Sequence, residues 1–177
     1  MAEIGNLVLL TVVGAFFIVS GVDGTPQTTC KAAANIDKRV NYDFCISELL
    51  GHPESASADA WGLAKITALL GGSNAGDAKP EIEGMLAKPG TDDKLKVPLG
   101  QCHKLYDQMG LAFADAADEL NWRHYDLGKK KAAQAVQLAQ QCDNVFVKAG
   151  VRSPLMKRSE DSVQLAIICT AITNLIK

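Results

Sequence analysis

The sequence predicts an all-α protein, an antiparallel up-down-up-down four-helix bundle with a small helical hairpin at its N-terminal end. Three observations predict it. Apolar residues recur every three and four positions in four separate segments, the period of one helix face. No segment sustains the alternation of apolar and polar residues that a half-buried strand needs. Aromatic residues make up only 6% of the chain, too few for sheets built on Tyr, Phe and Trp. A length of 177 residues suits one domain, and 47% hydrophobic against 21% charged residues excludes wholesale disorder.

The chain divides in order. Leu7 to Val19 is an uncharged, apolar run, too short for a membrane span of about 20 residues. It reads as the apolar region of a secretory signal peptide, with small residues at Gly21 and Gly24 as cleavage points. The first six residues depart from that pattern, carrying Glu3 and no Lys or Arg. Residues 1–24 are therefore expected to be a cleaved signal peptide and 25–177 the mature domain, made of a hairpin over 25–52 and a bundle over 53–177. Cleavage after Gly24 removes Glu3 and Asp23, so the formal charge moves from −2 to zero. A neutral chain lacks the basic field of a nucleic-acid binder, and no nucleic-acid partner is expected. No membrane association is expected after cleavage.

Within the bundle, Leu63, Ile66 and Leu70 open the first helix. The stretch Gly71-Gly72-Ser73-Asn74-Ala75-Gly76, with Pro80 beyond it, predicts a kink or break, because Gly and Pro disfavour helix interiors. Pro89-Gly90 ends this helix, and Thr91-Asp92 caps the next. Leu99, Cys102, Tyr106, Met109, Phe113, Ala116 and Leu120 form an a/d seam on the second helix. Trp122 marks the turn. Ala132, Ala135, Ala139, Cys142, Phe146 and Ala149 carry the same seam on the third helix. Ser153-Pro154 separates it from a fourth, with Leu165, Ile168, Ile172 and Leu175 on its apolar face. Alanine-rich seams let the helices approach closely.

Five cysteines need an arrangement. In an oxidising compartment they are presumed paired. Cys102 and Cys142 each lie 20 residues from Trp122, so an antiparallel hairpin turning there sets them opposite one another. Cys30 and Cys45 flank a midpoint between Asp37 and Lys38 in a short polar segment. Symmetry about these turns favours 30–45 and 102–142. Cys169, inside the run Ala166-Ile167-Ile168-Cys169, is expected to be a buried free thiol. There is no CxxC, and His52, His103 and His124 show no ligand spacing with the cysteines, so no metal site and no cofactor are expected.

These residues resemble the plant invertase and pectin methylesterase inhibitors, over about residues 29 to 176. Thr29-Cys30 and Asn41-Tyr42-Asp43-Phe44-Cys45 are similar to that family's disulfide-closed hairpin. Ser55-Ala56-Ser57, Asp59 and Gly62-Leu63 look like the start of its first bundle helix. Thr91-Asp92, Lys94-Leu95-Lys96, Cys102 and Tyr106 resemble its second, Tyr125 and Cys142 its third. Ser153-Pro154-Leu155 and Ser159-Glu160-Asp161-Ser162-Val163-Gln164-Leu165 resemble its last. The likeness is to the branch that contains a plane-tree pollen allergen.

The resemblance implies a proteinaceous inhibitor that occludes the cleft of an extracellular carbohydrate enzyme in a 1:1 complex. It implies secretion to the apoplast and cell wall, or the vacuole. Invertase inhibitors of the family insert a Pro-Lys-Phe triplet near the start of the third bundle helix, and many esterase inhibitors end that triplet in Asp-Tyr. Arg123, His124 and Tyr125 stand at those positions here and are the expected enzyme-contact residues. The loss of Pro-Lys-Phe moves the expected target toward pectin methylesterase, with cell-wall or vacuolar acid invertase as the alternative. A secreted helical bundle without inhibitory activity, ligand-binding or allergen-like, is the further alternative. No nucleophile motif or Gly-rich phosphate loop is present, so the chain is not expected to be an enzyme. Lys129-Lys130-Lys131 reads as a solvated helix face.

Overall fold

The structure, a computed structural model, describes residues 24–176. The expected signal peptide, apart from Gly24, lies outside the described residues. Six α-helices follow in order, α1 (Pro26–Ile36), α2 (Tyr42–Gly51), α3 (Ala60–Ala87), α4 (Asp93–Asn121), α5 (Tyr125–Ala149) and α6 (Met156–Thr173). A short 3₁₀ turn at Ser55–Ser57 leads from α2 to α3. None of the described helices is long and apolar enough to cross a membrane.

Each N-terminal boundary in the first four helices has a side-chain cap. Thr25, Asn41, Asp59 and Asp92 each accept a hydrogen bond from a backbone N–H of the first turn, satisfying donors that the helix leaves unpaired. At the other end of α5, Gly150 adopts a left-handed conformation with φ 66°, and its N–H returns to the Val147 carbonyl.

Helices α3 to α6 form the bundle. Each packs on its sequence neighbour, and α3 also packs on α6, which closes the ring. Two polar contacts mark the antiparallel register of α3 and α4. Lys79 meets Asp107 at 2.6 Å and Glu83 meets His103 at 2.9 Å, so the number rises by four on one helix and falls by four on the other. Cys102 and Cys142 are bridged across α4 and α5 with Cα atoms 5.0 Å apart. The core takes Leu99, Tyr106, Met109, Phe113 and Leu120 from α4 and Ala132, Ala135, Ala139 and Phe146 from α5. Leu63, Ile66 and Ile82 enter from α3, and Leu165, Ile168 and Ile172 from α6. The outer ends of the sequence seams fall outside this core. Ala149 is exposed in the last turn before Gly150, and Leu70 and Leu175 are half-buried.

The expected break in α3 is absent. The helix runs through Gly71, Gly72, Gly76 and Pro80 without interruption. Tertiary packing overrides propensity here. A Cβ on Gly71 would sit 2.3 Å from the Phe113 ring, so only glycine lets that ring press against the α3 backbone. Pro80 occupies the exposed face.

A polar layer crosses the bundle interior. The buried hydroxyls of Tyr106 and Ser159 hydrogen-bond at 3.2 Å, and burial pushes the phenol up to about 12. Asn74 of α3 donates to Ser162 Oγ at 2.8 Å and to the Arg158 carbonyl at 2.9 Å. Arg158 returns a bond to Asn74 Oδ1 at 3.0 Å and pairs with Glu81. Buried Asp143 Oδ1 on α5 has no hydrogen-bond partner among the described residues.

The N-terminal hairpin, α1 and α2, rests mainly on α6. Cys30 and Cys45 are bridged with Cα atoms 5.9 Å apart. Gln164 of α6 holds the hairpin turn with both ends of its amide. Its Oε1 accepts from Asn41 N–H at 3.0 Å, and its Nε2 donates to the Arg39 carbonyl at 3.2 Å. Cys169 is a fully buried free thiol, and burial pushes it up to about 12.

Candidate functional site

The corner between α4 and α5 is three residues long. Trp122 N–H bonds back to the Asp118 carbonyl, Arg123 N–H to Leu120 and His124 N–H to Glu119, which winds the end of α4 tightly. That path places Arg123 at φ 63°, a left-handed conformation costing a non-glycine residue about 1–3 kcal/mol. Its surroundings hold it there. The guanidinium lies over the Trp61 ring, 4.3 Å from the centroid, and one of its nitrogens donates to the Tyr125 hydroxyl at 3.2 Å.

Trp61, in the first turn of α3, is the anchor of this corner. Its indole N–H donates to the Leu120 carbonyl at 2.6 Å, one of the last carbonyls of α4. Lys65 lies over the same ring at 4.4 Å, and its ammonium donates to Asn121 Oδ1 at 2.8 Å. Trp61 therefore ties the start of α3 to the end of α4 and gives Arg123 a flat bed. Neither Trp61 nor Lys65 stands out in the sequence as a site residue. The available signal was a tryptophan within one helical turn of the Asp59 cap.

His124 Nδ1 meets Glu119 Oε2 at 2.8 Å, which pins the imidazole to α4. Trp122 is 61% exposed beside it, with ring centroids 6.2 Å apart. The corner thus brings Arg123, His124 and Tyr125 together along one open groove of about 560 Å³, whose far wall is Asn174 and Ile176 after α6. Gly128 makes the start of α5 fit, since a Cβ there would lie 2.9 Å from Leu120.

The lysine run does not form one patch. Lys129 bonds Asp126 at 3.0 Å and Asn174 at 3.1 Å, while Lys131 pairs with Asp115 at 2.7 Å. Among the described residues no group of three or more His, Cys, Asp or Glu side chains is arranged to hold a metal. What the corner offers chemically is a braced set of aromatic and cationic side chains, the residue types that dominate protein interfaces.

The model of the plant invertase/pectin methylesterase inhibitor family matches residues 24–172. Pectinesterase inhibitor 8 of Oryza sativa subsp. japonica is 49% identical over 163 residues, covering 90% of this chain and 87% of that protein. A protein of Platanus orientalis, named for invertase inhibition, is 34% identical over 162 residues, covering 91% and 94%. The crystal structure of a mutant form of a pectin methylesterase inhibitor from Arabidopsis superposes with a TM-score of 0.69. It covers 87% of this chain and 98% of its own at 19% identity, a likeness of fold.

Proposed function

The chain belongs to the plant invertase/pectin methylesterase inhibitor family, and from that premise we propose that it is a secreted inhibitor of pectin methylesterase. It acts by occlusion. The α4–α5 corner, with Arg123, His124 and Tyr125 leading, docks at the enzyme's cleft in a 1:1 complex and excludes the polymer. The observation that carries the target is the 49% identity to a rice pectinesterase inhibitor across nearly the whole of both chains. The braced corner supports the mechanism, because side chains fixed before docking lose less entropy on binding. Arg123 is already stacked and hydrogen-bonded in the free protein.

Acid invertase is the second reading, favoured by the Platanus relative and by the aromatic Tyr125. The chain is exported through residues 1–24 to the cell wall and performs no catalysis itself. The experiment is a titration of purified residues 25–177 against a plant pectin methylesterase and an acid invertase. Esterase activity is expected to fall to background near one equivalent, with invertase unaffected. An Arg123→Ala variant should inhibit about tenfold less well. Undiminished esterase activity at molar excess, across several isoforms, would sink the reading.

A further inference from the structure

The surface of α4 and α5 away from the corner carries a second feature. Two grooves of about 390 and 470 Å³ lie between these helices and share Gln101, Val145 and Lys148, so they form one continuous channel. It extends along α4 from Lys94 to Gln108, about 21 Å at the helical rise.

Its charge is one-sided. Lys94, Lys104 and Lys148 line it, all exposed, and none makes an ion pair among the described residues. Elsewhere on the bundle Lys79, Lys131 and Lys157 are matched, with Asp107, Asp115 and Asp161, while Lys65, Lys88 and Lys130 form no ion pair among the described residues but do not line a shared groove with one another. The one acid lining the channel is Asp93, held by Lys96 at 2.6 Å. Between the lysines stand four exposed amides, Gln101, Gln108, Gln141 and Asn144, whose side chains make no hydrogen bond among the described residues. Val97, Leu105 and Val145 supply aliphatic surface between them.

We propose that this channel binds a carboxylated polysaccharide, its lysines meeting successive carboxylates and its amides meeting hydroxyls. The length of the channel and the separation of its cations suit a linear polyanion better than a small anion. Its composition argues against a protein partner. It lacks Trp, Tyr and Arg, the anchors of protein interfaces, and lysine is depleted at interface cores. Those anchors sit at the other end of the same hairpin, around Trp122, Arg123 and Tyr125. The choice of a uronate polymer rests on the inhibitor reading, since pectin methylesterase leaves free carboxylates on its polymer. The attraction to a polyanion does not rest on it.

The test measures binding of fluorescent oligogalacturonates to purified residues 25–177, with no enzyme present. Fully methyl-esterified oligomers of equal length are the comparison. Free-acid oligomers should bind at least tenfold more tightly, and weaken as salt rises from 50 to 200 mM, as exposed charge pairs do. A Lys104→Gln/Lys148→Gln variant, shown folded by circular dichroism, should bind about tenfold more weakly. A Lys79→Gln control should bind as the parent does, and the Lys104/Lys148 variant should still inhibit the esterase. Equal binding of the two oligomers, or undiminished binding by the Lys104/Lys148 variant, would overturn the proposal. So would loss of esterase inhibition by that variant without any polymer binding by the parent, which would make the channel an enzyme-docking face. Failure of the inhibitor reading shows separately, in the titration described above.

Discussion

Cys102–Cys142 crosses a hairpin whose helices run 29 and 25 residues, whereas Cys30–Cys45 ties helices of 11 and 10 residues that ride on α6. The long hairpin buries its seam against two neighbours and would keep its shape through packing alone. The short one buries little beyond Cys30, Ala33, Val40, Cys45 and Leu49, and its turn depends on Gln164. One bridge reinforces a core, and the other substitutes for one.

The largest effects come from opening the bridges. Loop closure gives about 4 kcal/mol for the 40-residue separation and about 3 kcal/mol for the 15-residue one. The outcomes should differ in kind as well as size. A Cys102→Ser/Cys142→Ser protein should lower the melting temperature of the whole bundle. A Cys30→Ser/Cys45→Ser protein should lose hydrogen-exchange protection over residues 26–51 while α4 and α5 stay protected. Equal loss of protection in both regions would break the contrast.

Gly71→Ala tests whether close packing holds the long hairpin to α3. The new Cβ would collide with the Phe113 ring, so overpacking should cost about 2 kcal/mol in urea unfolding. Phe113→Leu in the same chain should recover part of that, and a purely additive double variant would reject the mechanism. Gln164→Ala removes both bonds to the hairpin turn and should cost about 1 kcal/mol, felt as faster exchange at Asn41 more than as a lower melting temperature.

The smallest effect is a pH slope. Burial raises the Asp143 carboxyl above its ordinary range, with the Ser159 hydroxyl opposing and the Glu160 charge adding. Its folded form therefore holds a proton that the unfolded chain has already released. Asp143 stabilises the fold relatively as pH falls into the window just above the ordinary Asp value, and the benefit is lost as pH rises through the raised one. Asp143→Asn should flatten that part of the stability–pH curve and raise stability near neutrality.

Helix seams and cysteine symmetry were legible in the sequence because both depend on spacing within one hairpin. The continuity of α3 was not. Glycine and proline propensities are local, while the Phe113 ring that Gly71 accommodates arrives from 42 positions away. Arg123, His124 and Tyr125 stood out as neighbours at a turn, yet Trp61, the bed for Arg123, is 59 residues from the Leu120 carbonyl it binds. The placement of charge was hidden in the same way. The contiguous Lys129-Lys130-Lys131 run splits between partners, and the unpaired Lys94, Lys104 and Lys148 gather only when α4 and α5 lie side by side.

The sealed thiol of Cys169 makes the molecule its own gauge of breathing. An alkylating reagent near neutral pH meets neither an exposed sulfur nor a thiolate in the closed bundle. Each labelling event therefore records a moment when α6 has parted from its neighbours. Because α6 also carries the hairpin through Gln164, the pace of labelling with and without the Cys30–Cys45 bridge would tell whether the N-terminal hairpin is a passenger on that helix or a latch upon it.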